Sequence, residues 1–204
     1  MLIIFGGLPG TGKTTIAREL ARQIGAVHVR IDSIEQAIRA SAMLTQPIND
    51  VGYRVAYTLA EDNLRIGRTV IADSVNPLRL TRDAWLAVAN RAKVTAIEIE
   101  ITCSDPDEHR RRVETRVADI PGSTVPTWQE VISRKYHPWH RKHFIIDTAE
   151  RTIEQTVNPT RELFPPQETE KLKFFELANQ LSASSNPAER KRIKAELARM
   201  KFGK

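Results

Sequence analysis

Eight consecutive residues near the start of the chain, Gly7-Leu8-Pro9-Gly10-Thr11-Gly12-Lys13-Thr14, leave few folds open to it. They satisfy the pattern G-x-x-x-x-G-K-[ST] at every fixed position, and each position has a physical job. The glycines admit backbone conformations that a Cβ would penalise. Successive N–H groups can then turn inward as an anion nest, with the N-terminus of the following helix behind them. All eight residues, with Thr15 behind them, are therefore expected to cradle nucleotide phosphates. Lys13 is the residue that reaches the β- and γ-phosphates, and Thr14 offers its hydroxyl to Mg²⁺. The flanks agree with the loop. Leu2-Ile3-Ile4-Phe5 is a short apolar run, as a strand buried on both faces requires. Ile16, Leu20 and Ile24 then recur at helical spacing over residues 15–24, and Gly25 closes the helix.

Further strands follow at regular intervals, each ending near a group of chemical interest. Val27-His28-Val29-Arg30-Ile31 alternates like a strand and ends at Asp32, with a helix predicted from Ser33 to about Leu44. The carboxyl ends of strands in a parallel α/β sheet face the ligand crevice, so Asp32 shares an edge with the phosphate loop. It is a candidate general base, and by residue type it could equally cap the helix. Residues 45–50 read as a loop. Residues 51–66 read as a helix with Val55, Leu59, Asn63 and Ile66 on its inner stripe, and Tyr53, Arg54, Gln46 and Asn49 are generic candidates for an acceptor pocket. Residues 68–74 are an apolar strand closing on Asp73, the Walker B form of an acidic group near Mg²⁺.

A helix over residues 81–93 and a strand over 94–101 come next. Glu98 and Glu100 alternate with Ile97, Ile99 and Ile101, which predicts a less buried face near one end of the sheet. Cys103 reads as a buried, inert side chain. The helix after Asp105-Pro106 carries Arg112 and Arg116 at i and i+4, a pair suited to charge developing on a transferred phosphoryl group. Residues 119–126 have turn chemistry throughout and predict a mobile segment. Residues 128–136 read as a helix. The histidines His137, His140 and His143 lack the spacing of a zinc site. A fifth strand over 143–148 and a helix from Thr152 complete a doubly wound α/β arrangement with a five-stranded parallel sheet. Residues 158–167, with three prolines, predict a linker. Beyond it the pattern predicts an α-helical hairpin, residues 168–204, with an apolar stripe that needs a covering.

Charge and composition exclude less. The formal charge is +6 (31 basic and 25 acidic residues), and residues 165–204 hold nine of the basic and five of the acidic ones. A phosphate site needs basic residues anyway, so nucleic acid is possible but not favoured. The single cysteine forbids an intramolecular disulfide and suits a reducing compartment. A chain that enters its first strand directly, with no long apolar run, is expected to be cytoplasmic and to engage no membrane.

Taken together, residues 7–15, Asp32, Ile71-Ala72-Asp73 and the Arg112/Arg116 helix resemble the P-loop kinases of the AAA-family ATPase type. That group includes zeta toxins, chloramphenicol phosphotransferase, gluconate kinase and polynucleotide 5′-kinase domains. The resemblance spans about residues 1–160, a kinase domain to which the hairpin 168–204 is an appendage. It implies a nucleoside-monophosphate-kinase-like sheet and transfer of the ATP γ-phosphate to a hydroxyl. It also implies Asp32 as general base, with Arg112 and Arg116 as lid arginines. Polynucleotide kinases carry an arginine three residues beyond the strand-two aspartate, where this chain has Glu35, so a small-molecule acceptor is the favoured expectation. The guanine signature Asn-Lys-x-Asp is missing, which favours ATP. Two alternatives stay open: a nucleic-acid or nucleotide-sugar kinase, and an ATP-binding switch that engages a protein partner or a second copy through residues 168–204.

Overall fold

The computed structural model describes residues 1–41, 49–164 and 166–202. Its five strands are β1 (Leu2–Gly6), β2 (Val27–Arg30), β3 (Val70–Asp73), β4 (Ala96–Thr102) and β5 (Phe144–Asp147). All neighbours pair in parallel in the order β2-β3-β1-β4-β5. Parallel neighbours need crossovers, and helices supply them. The expected doubly wound sheet is what forms. Its register sets Arg30 opposite Asp73 and Asp73 opposite Phe5, so three strands end in one row where the phosphate loop begins.

Alternation along β1 divides the core in two. Ile3 and Phe5 face α1 (Lys13–Ile24) and α7 (Ile153–Glu162), packing with Ile16, Leu20, Ile24, Ile99 and Ile101. Leu2 and Ile4 face α3 (Val51–Arg65) and α4 (Arg79–Ala92), where Trp85 is fully buried against Ala56, Ala60 and Leu64. Among the described residues no helix is long and apolar enough to cross a membrane.

Several local expectations fail for identifiable reasons. The inner stripe of α3 is Gly52, Ala56, Ala60 and Leu64, while Val55, Leu59 and Ile66 are exposed. Small residues let the helix approach its neighbours closely: a Cβ on Gly52 would lie 2.4 Å from Cγ of Glu35. A pattern read for large apolar groups selects the wrong face. The helix after β2, α2 (Ile31–Arg39), starts two residues earlier than predicted, so Arg30 is its N-cap and Asp32 lies inside the first turn. Asp32 is thus no cap. The predicted end of that helix and the 45–50 loop lie largely outside the described residues, as does Gln46.

Glu98 is buried although β4 was expected to show water one face. The chain after α6 (Trp128–Ile132) runs back over that face, where Arg141 forms a two-pronged ion pair with Glu98 and His143 contacts Glu100 at 3.2 Å. The stretch predicted as a linker is mostly helical. Helix α7 continues through Pro159 to Glu162, Phe164 is buried in the α1-side core, and α8 (Pro166–Ala183) begins at once. Helices α8 and α9 (Pro187–Phe202) pack on each other, and α8 packs on α1, burying Leu177 and Ile193. Part of the hairpin's apolar stripe is therefore covered by the chain itself. Cys103 is half-buried, and burial raises its thiol pKa, which keeps it inert at neutral pH.

Candidate active site at the strand ends

The loop between β1 and α1 is shaped by glycines that nothing else could replace. Gly7 has φ +131°, and a Cβ there would lie 2.1 Å from the Ile101 carbonyl oxygen; Gly10 has φ +86° and would meet Val113 Cγ2 at 2.4 Å. Gly12 caps α1 with φ +91°, no side-chain cap forms, and no acidic residue follows in the first turn. The first N–H groups of α1 are thus left for an anion.

Three side chains brace the loop from outside. His109 Nε2 lies 2.8 Å from the Pro9 carbonyl, and Thr148 Oγ1 lies 3.0 Å from the Thr11 carbonyl. Arg112 donates to Thr148 Oγ1 at 2.7 Å and to its carbonyl at 2.9 Å, and pairs with Glu108 at 2.6 Å. His109 and Thr148 belong to no short motif, which is why the sequence pattern missed them.

Lys13 is buried, and its Nζ donates to the Leu8 carbonyl at 2.8 Å. Burial lowers its pKa to about 8; the charges of Asp73 and Asp32 oppose that shift, and those of Arg116 and Arg134 add to it. A phosphate would restore the protonated form, so the bound pKa lies above the free one. Affinity is then fully present below about pH 8 and is lost as pH rises. Binding of a non-hydrolysable ATP analogue, measured by calorimetry, should weaken by up to about tenfold per pH unit above that point. The Lys13→Arg variant, which stays charged, should show a flat profile, and a flat wild-type profile would refute the assignment.

Asp73 ends β3 with 2% exposure, and its Oδ2 lies 3.0 Å from His28 Nε2. Thr14, half-buried in the first turn of α1, and Asp73 offer a hydroxyl and a carboxylate, the hard oxygen donors that suit Mg²⁺. Asp32 is the open carboxylate of the group: its side chain is 55% exposed and its nearest cation is Arg30, 3.9 Å away. Helix α5 (Pro106–Thr115) stops one residue short of Arg116, which is extended. Arg112 and Arg116 therefore do not share a helical face as predicted, yet both line the same cleft of about 410 Å³ with Lys13, Thr14, Thr15 and Val117. Arg134, exposed beyond α6, acts on Lys13 as Arg116 does. Among the described residues, no group of three or more His, Cys, Asp or Glu side chains could hold a metal ion alone.

Comparisons with known proteins agree with this fold. A family profile described as an AAA domain matches residues 2–134. No curated protein matches by sequence. Among solved structures, the Mycobacterium tuberculosis APS kinase in complex with AMPPNP and APS superposes with a TM-score of 0.60 at 17% identity, covering 79% of this chain and 95% of that one. Chaetomium thermophilum Kti12 in complex with ADP-AlF3 gives 0.59 at 20% identity, covering 81% and 100%. A gluconokinase from Sinorhizobium meliloti gives 0.53 at 13% identity, covering 89% and 97%. At these identities the likeness is one of fold, and several of its bearers are kinases.

Proposed function

The chain belongs to the AAA-domain family whose profile matches it over residues 2–134, and from that premise we propose that it is an ATP- and Mg²⁺-dependent kinase of a hydroxylated small molecule. One observation carries this reading: the open carboxylate of Asp32 lies close enough for its charge to act on buried Lys13, beside an uncapped helix N-terminus. A nucleotide switch has no evident use for that carboxylate.

The residues divide the work. The N–H groups of Gly10, Gly12, Lys13, Thr14 and Thr15, with the Lys13 ammonium, bind the phosphates of ATP, and Val117, Arg151 and Ile153 offer the cleft wall for the adenine. Mg²⁺, held by Thr14 and Asp73, would spread the phosphate charge. Asp32 takes the proton of the acceptor hydroxyl as the new O–P bond forms and the bond from the γ-phosphorus to its bridging oxygen breaks, releasing ADP. Arg116 and Arg134 face the charge that develops, and Arg112 holds the loop and the cleft wall rather than moving with a lid.

The test is transfer of label from γ-labelled ATP. Pools of sugars, polyols and aminocyclitols should accept label, whereas 5′-hydroxyl oligonucleotides should not. Label passing only to oligonucleotides would make the chain a nucleic-acid kinase, and release of phosphate to water with no labelled product would favour the switch.

A further inference from the structure

The segment between α5 and α6, residues 116–127, forms no helix or strand, yet it is firmly held. Its Asp119 accepts from Arg30 Nη1 at 2.7 Å and Nη2 at 2.9 Å, and from Arg18 Nη2 at 2.5 Å, with Arg116 3.8 Å away. The hydrogen bonds from Arg30 hold the Asp119 carboxyl far below the usual carboxylate range. Farther along, Gly122 lies against α2, where an added Cβ would come 2.9 Å from Nε2 of Gln36. The segment thus closes over the cleft and reaches the helix that carries Asp32.

Arg30 is the unusual partner. Its side chain is 4% exposed, its Nε is buried without a hydrogen bond, and Asp119 supplies its two-pronged contact. The same guanidinium lies 3.9 Å from Asp32, through Nη2. A buried guanidinium that loses its carboxylate is strongly driven to find another. Asp73, the remaining carboxylate it senses, acts on it more weakly than Asp32 and has Oδ2 on His28.

Resting on the kinase reading for the role of Asp32, we propose that Arg30 is a two-position latch that makes the base available only when the segment is closed. With Asp119 in place, the guanidinium is drawn onto the segment and Asp32 stands open for the acceptor. When Asp119 leaves, Arg30 turns to Asp32 and pairs with it. An open cleft, in which water could take the phosphoryl group, then has no free base. Arg30 is a positioning residue in this scheme and touches no reacting atom.

Carboxylate footprinting of the nucleotide-free protein tests this without any turnover. Carbodiimide-driven coupling of glycine ethyl ester, read by peptide mass spectrometry, should label Asp32 readily in the wild type. In Asp119→Asn, labelling of Asp32 should fall at least threefold, with Asp62 unchanged as the internal control. Adding Arg30→Gln to that variant should restore labelling, because no guanidinium remains to capture the base. Trypsin should cut at Arg116 faster in each single variant than in the wild type. Undiminished Asp32 labelling in Asp119→Asn, or no recovery in the double variant, would overturn the latch. Should Asp119→Asn misfold, shown by raised labelling at the buried Glu98, Arg30→Gln alone decides the closure half through its cleavage rate: wild-type resistance to trypsin there overturns the proposal. Failure of the kinase reading would show separately, as absent label transfer with the footprint intact.

Discussion

Replacing Asp32 by asparagine should lower turnover by about 10²- to 10⁴-fold while leaving affinity for an ATP analogue within about twofold. The substitution keeps the shape of the side chain and removes the proton acceptor and the charge. In free-energy terms the loss is about 3–5 kcal/mol of transition-state stabilisation. Little of it can come from unfolding, because the side chain is half in water and its ion-pair contact with Arg30 is a long 3.9 Å. Melting temperature should therefore stay within a degree or two of wild type. The split between kcat and nucleotide affinity is what identifies a base; a residue that merely shaped the phosphate loop would change both. Turnover above a tenth of wild type in Asp32→Asn would remove it from the mechanism.

The positions of Asp32, the phosphate loop and Asp73 at the strand ends were all legible in the sequence, because each follows a short strand pattern. Strand-end position is a local property, and a parallel sheet converts it directly into position at the crevice. What the sequence hid is long-range pairing. Asp119 is 89 residues from Arg30, and no spacing pattern links the two. Residues 119–126 carry every mark of a free turn segment, and one carboxylate between Arg18 and Arg30 holds them in place. Periodicity also misled at α3, where small residues rather than large ones face inward. Proline content misled at residues 158–162, where Pro159 sits inside a helix. In both cases tertiary packing decided against the local preference.

Arg82 shows the same blindness at greater cost to the molecule. The sequence offers it as one basic residue among several on α4, yet it is fully buried. Its Nε donates to the Asn76 carbonyl at 2.8 Å, Nη2 to His137 at 2.7 Å and Nη1 to Pro138 at 3.2 Å. Its guanidinium carbon sits 4.2 Å from the Trp139 ring centroid and 5.0 Å from that of Tyr136. Among the described residues no carboxylate pairs with it, so carbonyl dipoles and ring faces carry its charge. It ties the turn after β3 to the 136–139 chain, which closes over Gly6: a Cβ on Gly6 would meet Trp139 Cζ2 at 2.7 Å. Arg82→Ala would leave the buried Asn76 carbonyl and the part-buried His137 and Pro138 carbonyls without their donor, and a cavity beside Trp139. The expected cost is about 3–5 kcal/mol, as for other broken buried charge networks. In a chain of this size that corresponds to a fall in melting temperature of about 8–15 °C. Arg82→Lys should recover only part of the loss, because an ammonium cannot reproduce three contacts in the guanidinium plane or stack on both rings. Denaturant titration separates the outcomes: a loss below about 1 kcal/mol in Arg82→Ala would mean that water replaces the guanidinium without strain, and that the 136–139 chain is held by Arg141 and Glu98 instead.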